Sequence, residues 1–256
     1  MIEARDLQKN FGAQPVLRGV NLRVESGETV VIIGRSGGGK SILLKHLIGL
    51  IEPDAGEVRI DGQTITGMNE RQLLNVRRKF GMLFQGAALF DSLTVAENVG
   101  FALRQSRQWT AAEMSRKVSE ALEMVDLRGI EQKMPSALSG GMRKRVGLAR
   151  AIVYKPEIIL YDEPTTGLDP IVADSIDQLI IRICQRLKAT SVAVTHDMRS
   201  AGRIAQRILM LHEGRIHAGG TPDEIFHSTD PIVRKFVQGI SDAAESATND
   251  EESSTL

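Results

Sequence analysis

A chain of 256 residues, 42% hydrophobic and 25% charged, has the composition of a globular protein with one large domain or a domain carrying a sub-lobe. A core of that size needs no disulfide or metal, and the single cysteine, Cys184, cannot form an intramolecular bridge, which predicts a reducing compartment. The 32 basic and 32 acidic residues cancel, so charge gives no case for nucleic acid as the main partner.

The first residues, Met1-Ile2-Glu3-Ala4-Arg5-Asp6, lack the apolar run of a signal peptide, and no stretch approaches about 18 apolar residues. The sequence therefore predicts no membrane span, which leaves docking onto a membrane protein open. Short β-like segments dominate the start, punctuated by Gly12, Pro15 and Gly27. Residues 28–33 (ETVVII) read as a buried strand, the glycine-rich run that follows as a loop, and residues 41–50 (SILLKHLIGL) as a helix. Further strand signals lie at 57–60 and 79–84.

From about Thr94 to Tyr154 the pattern turns helical. Thr110-Ala111-Ala112-Glu113 reads as a capping box, and Met114, Val118, Leu122 and Val125 fall on one helix face behind it. Strand signals return at 158–161, 191–195 and 208–211, separated by helical segments. Strands alternating with helices predict a parallel α/β sheet, with the middle helical stretch as an inserted lobe. Cys184 sits in an apolar helical pattern, either as a buried structural thiol or as a reactive one. Residues 241–256 (SDAAESATNDEESSTL) are polar and acidic, and read as a disordered tail or one that orders on a partner. There are no internal repeats.

Gly34-Arg35-Ser36-Gly37-Gly38-Gly39-Lys40-Ser41 fits G-x-x-x-x-G-K-[ST] between a strand and a helix, the order a phosphate loop requires. Glycines let the backbone approach phosphate closely, successive N–H groups form an anion nest, and the following helix presents its positive end. Lys40 is expected on the β- and γ-phosphates of ATP, and the Ser41 hydroxyl on Mg²⁺. The apolar run Ile158-Ile159-Leu160-Tyr161 delivers Asp162 and Glu163 at a strand end, where α/β sheets bind ligands. Asp162 is expected to hold Mg²⁺ through water, and Glu163 to act as general base on the attacking water. His196, after another apolar strand, is a candidate contact to the γ-phosphate and that water. Gln85, after the strand at 79–84, offers a side-chain carbonyl to Mg²⁺.

Leu138-Ser139-Gly140-Gly141-Met142-Arg143-Lys144-Arg145 opens a helix expected to run to about Val153, giving a second N-terminal anion site far from the first in sequence. The basic run Arg143-Lys144-Arg145 opposes the helix dipole. It points either to an acidic or anionic neighbour or to a solvated basic face.

With these motifs in this order, the chain resembles an ABC-type ATPase, the nucleotide-binding subunit of ABC transporters, over about residues 2–239. In family terms Phe11 matches the aromatic A-loop, with Val16 beside it; residues 34–41 match Walker A, Gln85 the Q-loop and 138–142 the signature. Residues 158–162 match Walker B, Glu163 the catalytic glutamate, Gly167-Leu168-Asp169 the D-loop and His196 the H-loop. Phe11 stands where Tyr is more common and keeps a stacking face. Gly39 and Ile42 depart from the commoner GxSGSGKST, with no phosphate ligand lost.

The resemblance implies an α/β P-loop NTPase with a RecA-like parallel sheet core, an N-terminal antiparallel β subdomain and an α-helical subdomain inserted at about 86–157, all within residues 1–240. It implies ATP bound by Phe11, Val16, residues 34–42 and Gln85, with Mg²⁺ at Ser41, Gln85 and Asp162. It further implies a head-to-tail dimer in which Ser139, Gly140 and Gly141 close on the partner's ATP. An integral membrane permease would dock on the helical lobe, and small accessory or lipid-binding subunits would join it. GRSGGGKSILLKHLIG, LFQGAALFDSLTVAENV and LSGGMRKRVGLARA are similar to the Mla subfamily, which powers phospholipid movement between Gram-negative inner and outer membranes. Met142 fits that subfamily, as does the stretch DPIVRKFVQG at 230–239. That implies a place on the cytoplasmic face of a bacterial inner membrane, held there through the permease. The alternatives are an ABC ATPase for another cargo, a soluble ABC ATPase acting on ribosomes or DNA, and a subunit that binds ATP without hydrolysing it. Neutral charge, a single motif set and the intact Glu163 and His196 stand against the last two.

Overall fold

In the computed structural model, which describes residues 2–240, the chain begins with β1 (Ile2–Phe11), β2 (Gln14–Val24), β3 (Thr29–Ile33) and α1 (Lys40–Leu47). β4 (Ala55–Ile60), β5 (Gln63–Thr64), α2 (Glu70–Arg77) and β6 (Phe80–Leu83) follow. Next come α3 (Val95–Val99), α4 (Phe101–Ser106), α5 (Ala111–Met124), a 3-10 turn (Pro135–Ala137) and α6 (Gly140–Ile152). The chain continues through β7 (Ile158–Asp162), α7 (Pro170–Leu187), β8 (Thr190–Thr195) and α8 (Met198–Ile204). It closes with β9 (Arg207–His212), β10 (Arg215–Gly220), α9 (Pro222–Phe226) and α10 (Pro231–Gln238). The acidic tail expected at 241–256 lies outside the described residues.

The core sheet has the order β10-β9-β3-β8-β7-β6, parallel throughout except for β10. Its strands are apolar without alternation because both faces are covered. Val31 and Ile33 of β3 point to one core, which also holds Ile159, Tyr161, Ala193, Ile208 and Met210 and the faces of α5, α6 and α7. Val30 and Ile32 point to the other, with Leu160, Val192, Val194, Leu209 and the α1 leucines Leu43, Leu44 and Leu47. Each fully buried side chain of this kind stabilises the fold by about 1.5–3 kcal/mol. A one-residue slip of β3 would exchange the two sets.

A second sheet, β2-β1-β4-β5, is antiparallel. The start of the chain is thus two strands of 10 and 11 residues rather than several short segments. Gly12 lies in the turn between them and Gly27 in the turn before β3, while Pro15 falls inside β2; register shifts at Ala4/Leu7 and Lys9/Asn10, with Asp6 at φ 46° and Gly19 at φ 87°, interrupt the pairing. Strands at 57–60, 79–84, 158–161, 191–195 and 208–211 form within two residues of the expected limits. Helix α2 was not foreseen: only Leu73 and Val76 of its eight residues are buried, too narrow a stripe for periodicity to show, although Asn69 and Gln72 make a capping box. The box at Thr110 and Glu113 forms as expected. Cys184 lies half-buried in α7, its Sγ 3.0 Å from Ser191 Oγ and 3.4 Å from the hydroxyl of the fully buried Tyr161.

Candidate active site

Four strands of the parallel sheet deliver the chemistry. Register pairs Ile33 with Thr195, Asp162 with Val194, and Leu83 with Tyr161. The loops after β3, β7, β8 and β6 therefore leave the sheet side by side at its carboxyl edge, carrying Gly34, Glu163, His196 and Gln85.

The loop from β3 turns into α1 through Gly39, which caps the helix at φ 94°, a conformation closed to most side chains. Lys40 is 5% exposed, and its Nζ donates to the carbonyls of Gly34 at 2.7 Å and Arg35 at 3.0 Å. It also lies 3.6 Å from Glu163 Oε1. Burial lowers the Lys40 pKa, and the charge of Glu163 opposes that shift.

Glu163 is 6% exposed and sits at φ 49°, a strained placement for a non-glycine residue. Its Oε2 lies 2.9 Å from His196 Nδ1 and accepts from Thr166 Oγ1 at 2.9 Å and Thr195 Oγ1 at 3.4 Å. Burial pushes this carboxyl up, but the hydrogen bonds from His196 and Thr166 and the nearby Lys40 charge outweigh it and hold the pKa below the ordinary value. An ionised carboxylate held this way can accept a proton from a water placed before it.

Ser41 Oγ donates to Asp162 Oδ1 at 2.7 Å. With the side chain of Gln85 these are hard oxygen donors, the chemistry that Mg²⁺ prefers. No group of three or more His, Cys, Asp or Glu able to hold a metal exists among the described residues.

A cleft of about 470 Å³ unites Phe11, Val16, Ser36, Gly37, Gly39, Lys40, Ser41, Ile42, Gln85, Glu163 and His196. Gln14, which the sequence did not single out, lines it as well. Arg35 instead faces a neighbouring cleft with Ser36, His196 and residues of α10. Ser139, Gly140 and Gly141 are not part of the phosphate cleft. Ser139 caps α6, its Oγ accepting from the Met142 N–H at 3.3 Å, and Asp169 caps α7 by accepting from Ile171 and Val172 at 3.0 Å. The two caps adjoin: a Cβ on Gly141 would stand 2.6 Å from Val172 Cγ1, and one on Gly140 3.4 Å from Leu168.

The basic run after the signature divides three ways. Arg143 donates to the Leu138 carbonyl at 2.6 Å, and Arg145 to Val125, Ser175 and Asp126. Lys144 is buried and donates to the carbonyls of Gln85 and Glu163. Arg143 is exposed, so the run is a solvated basic face only there; Lys144 is buried and Arg145 half-buried beside Asp126.

The family model described as ABC transporter matches residues 17–166. The chain belongs to the ABC transporter ATPase family. This ABC ATPase is 41% identical to the probable ribonucleotide transport ATP-binding protein mkl of Mycobacterium leprae, over 93% of its own length and 69% of that chain. It is 39% identical to the intermembrane phospholipid transport system ATP-binding protein MlaF of Haemophilus influenzae, over 94% and 92%. Among solved structures it resembles a dimeric ATP-binding cassette in a post-hydrolysis state bound to ADP and Pi, with TM-score 0.80, 33% identity, and coverage of 87% of this chain and 99% of that one. The ATPase has the α/β P-loop fold of these cassettes. Among the described residues no helix is long and apolar enough to cross a membrane.

Sequence reasoning missed the hydroxyls behind Glu163 and His196. Thr166 and Thr195 hold the carboxylate, and behind them Thr165 Oγ1 lies 3.1 Å from Ser200 Oγ, which donates to Asp177 Oδ2 at 2.9 Å. The threonines follow the acid pair in the chain and carry no motif of their own. Asp177 reads as one more polar residue of an amphipathic helix.

Proposed function

We propose that this ABC ATPase powers phospholipid transport between membranes, as the peripheral ATP-hydrolysing subunit of an Mla-like transporter working with a second copy of itself and a membrane permease. What carries the shared-site reading is the split within one chain: Lys40, Ser41, Glu163 and His196 meet in one cleft, while Ser139 to Gly141 stand outside it at a helix N-terminus of their own. A helix N-terminus is suited to phosphate, and the partner's ATP is the phosphate such an arrangement would meet.

In this reading Phe11 stacks on adenine, and the loop from Gly34 to Ser41 takes the phosphates with Lys40 on the terminal ones. Ser41, Gln85 and Asp162 would hold Mg²⁺, which would supply positive charge to screen the phosphates. Glu163 takes the proton of the attacking water, and His196 fixes the carboxylate and reaches the γ-phosphate. Residues at about 86–157 act as a lobe that passes motion between the site and the permease. The 39% identity to MlaF across 92% of its length supports the phospholipid cargo. The similarity to mkl supports a second reading, a ribonucleotide cargo.

The decisive experiment reconstitutes the ATPase with its permease in liposomes. ATP-dependent transfer of a fluorescent phospholipid to acceptor vesicles is expected; ribonucleotide uptake without lipid transfer would replace the lipid reading. Glu163→Gln should keep ATP binding, trap a nucleotide-bound dimer and lower turnover by about 10²-fold or more. Turnover at the wild-type rate in that variant would remove Glu163 from the base role.

A further inference from the structure

Lys144 is a buried charge that the mechanism above does not use. It lies in the first turns of α6 and is 5% exposed. Its Nζ donates to the main-chain carbonyl of Gln85 and, at 2.8 Å, to that of Glu163. Burial lowers the ammonium pKa to about 8, and the charges of Asp162 and Glu163 pull the other way. Taking an ammonium out of water is unfavourable, and an apolar side chain of the same volume would fill the space at less cost. The charge is spent on two loop carbonyls, one from each side of the hydrolytic site.

Lys144 is not alone on its face of the helix. A Cβ on Gly147 would stand 3.0 Å from Ala87 Cβ, so the helix backbone presses on the Gln85 loop. One turn on, Arg150 donates to the carbonyls of Ala87 at 2.6 Å and Ala88 at 2.7 Å. Ala87 and Ala88 both have positive φ, 61° and 47°, a conformation those residues adopt only where contacts enforce it. Positions 144, 147 and 150 share one helix face and grip the backbone from Gln85 to Ala88. The same helix begins at Ser139.

We propose that Lys144 is a positioning residue that couples the two ATP sites of the dimer: it transmits engagement of the signature at Ser139–Gly141 with the partner's nucleotide to Gln85 and Glu163, which serve this copy's own. This rests on the paired-site reading above. A helix of 13 residues moves as a rod, so a shift at its N-terminus displaces the carbonyls that Lys144 holds. Both contacts are to main chain, so changing the side chain of Glu163 leaves them in place. Coupling of this kind is reciprocal, and each site's occupancy then tunes the other's affinity by about 5–150-fold.

The test uses the full chain, a fluorescent ATP analogue and Mg²⁺. In the Glu163→Gln background, ATP is expected to drive dimerisation with a sigmoid binding curve. Adding Lys144→Met should leave single-copy nucleotide affinity within about threefold, raise the nucleotide needed for dimerisation about tenfold and remove the sigmoid shape. With Glu163 intact, Lys144→Met should lower kcat about tenfold at nearly unchanged KM. Lys144→Arg keeps donors for both carbonyls and should restore the sigmoid. A Lys144→Met variant with wild-type cooperativity and kcat overturns the proposal. So does one whose nucleotide affinity and melting temperature fall together without rescue by Lys144→Arg, since that is the mark of a merely structural lysine. A Glu163→Gln parent that never dimerises on ATP would overturn the paired-site reading itself, and the coupling role with it.

Discussion

Asp177 has no exposed surface. One carboxylate oxygen accepts from Ser200 at 2.9 Å and has Arg203 at 3.5 Å, while the other, buried, has no partner. Burial raises its pKa from 3.8 to about 6; Ser200 and Arg203 pull it down, and the charge of Asp197 adds to the rise. The folded protein thus holds this proton more tightly than the unfolded chain. The stabilisation is complete below pH 3.8 and is lost as the pH rises through about 6. The shift corresponds to up to about 3 kcal/mol. Urea unfolding across that window should show wild type losing stability relative to Asp177→Asn as pH rises; parallel curves for the two proteins would remove the effect. At this scale the sequence is a good guide only where chemistry has a fixed spacing. Lys40, Ser41, Asp162, Glu163 and His196, each singled out by a motif, lie together at one edge of the sheet. Lys144 and Asp177 are defined by burial and by partners remote in sequence, which spacing does not encode.

Among the elements, β6 and α6 pack with almost no tolerance. A Cβ on Gly81 would stand 2.3 Å from the Ala151 carbonyl and 3.0 Å from Pro156 Cγ, so strand and helix meet backbone to backbone. Gly81→Ala must push α6 off the sheet. The expected cost is about 1–3 kcal/mol, read as a lowered urea midpoint, with reduced ATPase activity because α6 also holds the Gln85 loop. A variant with unchanged midpoint and turnover would show that α6 has slack. Parallel strands were easy to find in the sequence because burial on both faces makes each a continuous apolar run. Helix α2 and strand β10 were not, since each is half in solvent and its pattern is diluted.

At the scale of the whole molecule, the proposed dimer divides each ATP site between two copies and makes a prediction that a self-contained enzyme would not. Ser139→Arg and Lys40→Met should each inactivate a homodimer. Mixed, they should regain activity: one composite site then combines an intact phosphate loop with an intact signature, while both lesions fall in the other. Mixtures as inactive as either parent would place signature and phosphate loop in the same copy's site. The sequence could suggest this split only through the distance between its two anion-binding helix ends, because a dimer leaves no periodicity in a single chain.

The sheet register also has a consequence for how the protein is made. β3, the strand behind the phosphate loop, pairs on one side with β8 and on the other with β9, both from the last third of the chain. During synthesis its five residues, all buried in the fold, leave the ribosome with neither neighbour yet translated. Contacts this distant in sequence form late, so a nascent chain halted before Thr190 carries β3 with both edges open. Nucleotide cannot rescue such an intermediate, because the cradle it would bind hangs from that same unpaired strand. Until β8 and β9 are made, the open edges of this central strand are a site for aggregation that ATP does not shield.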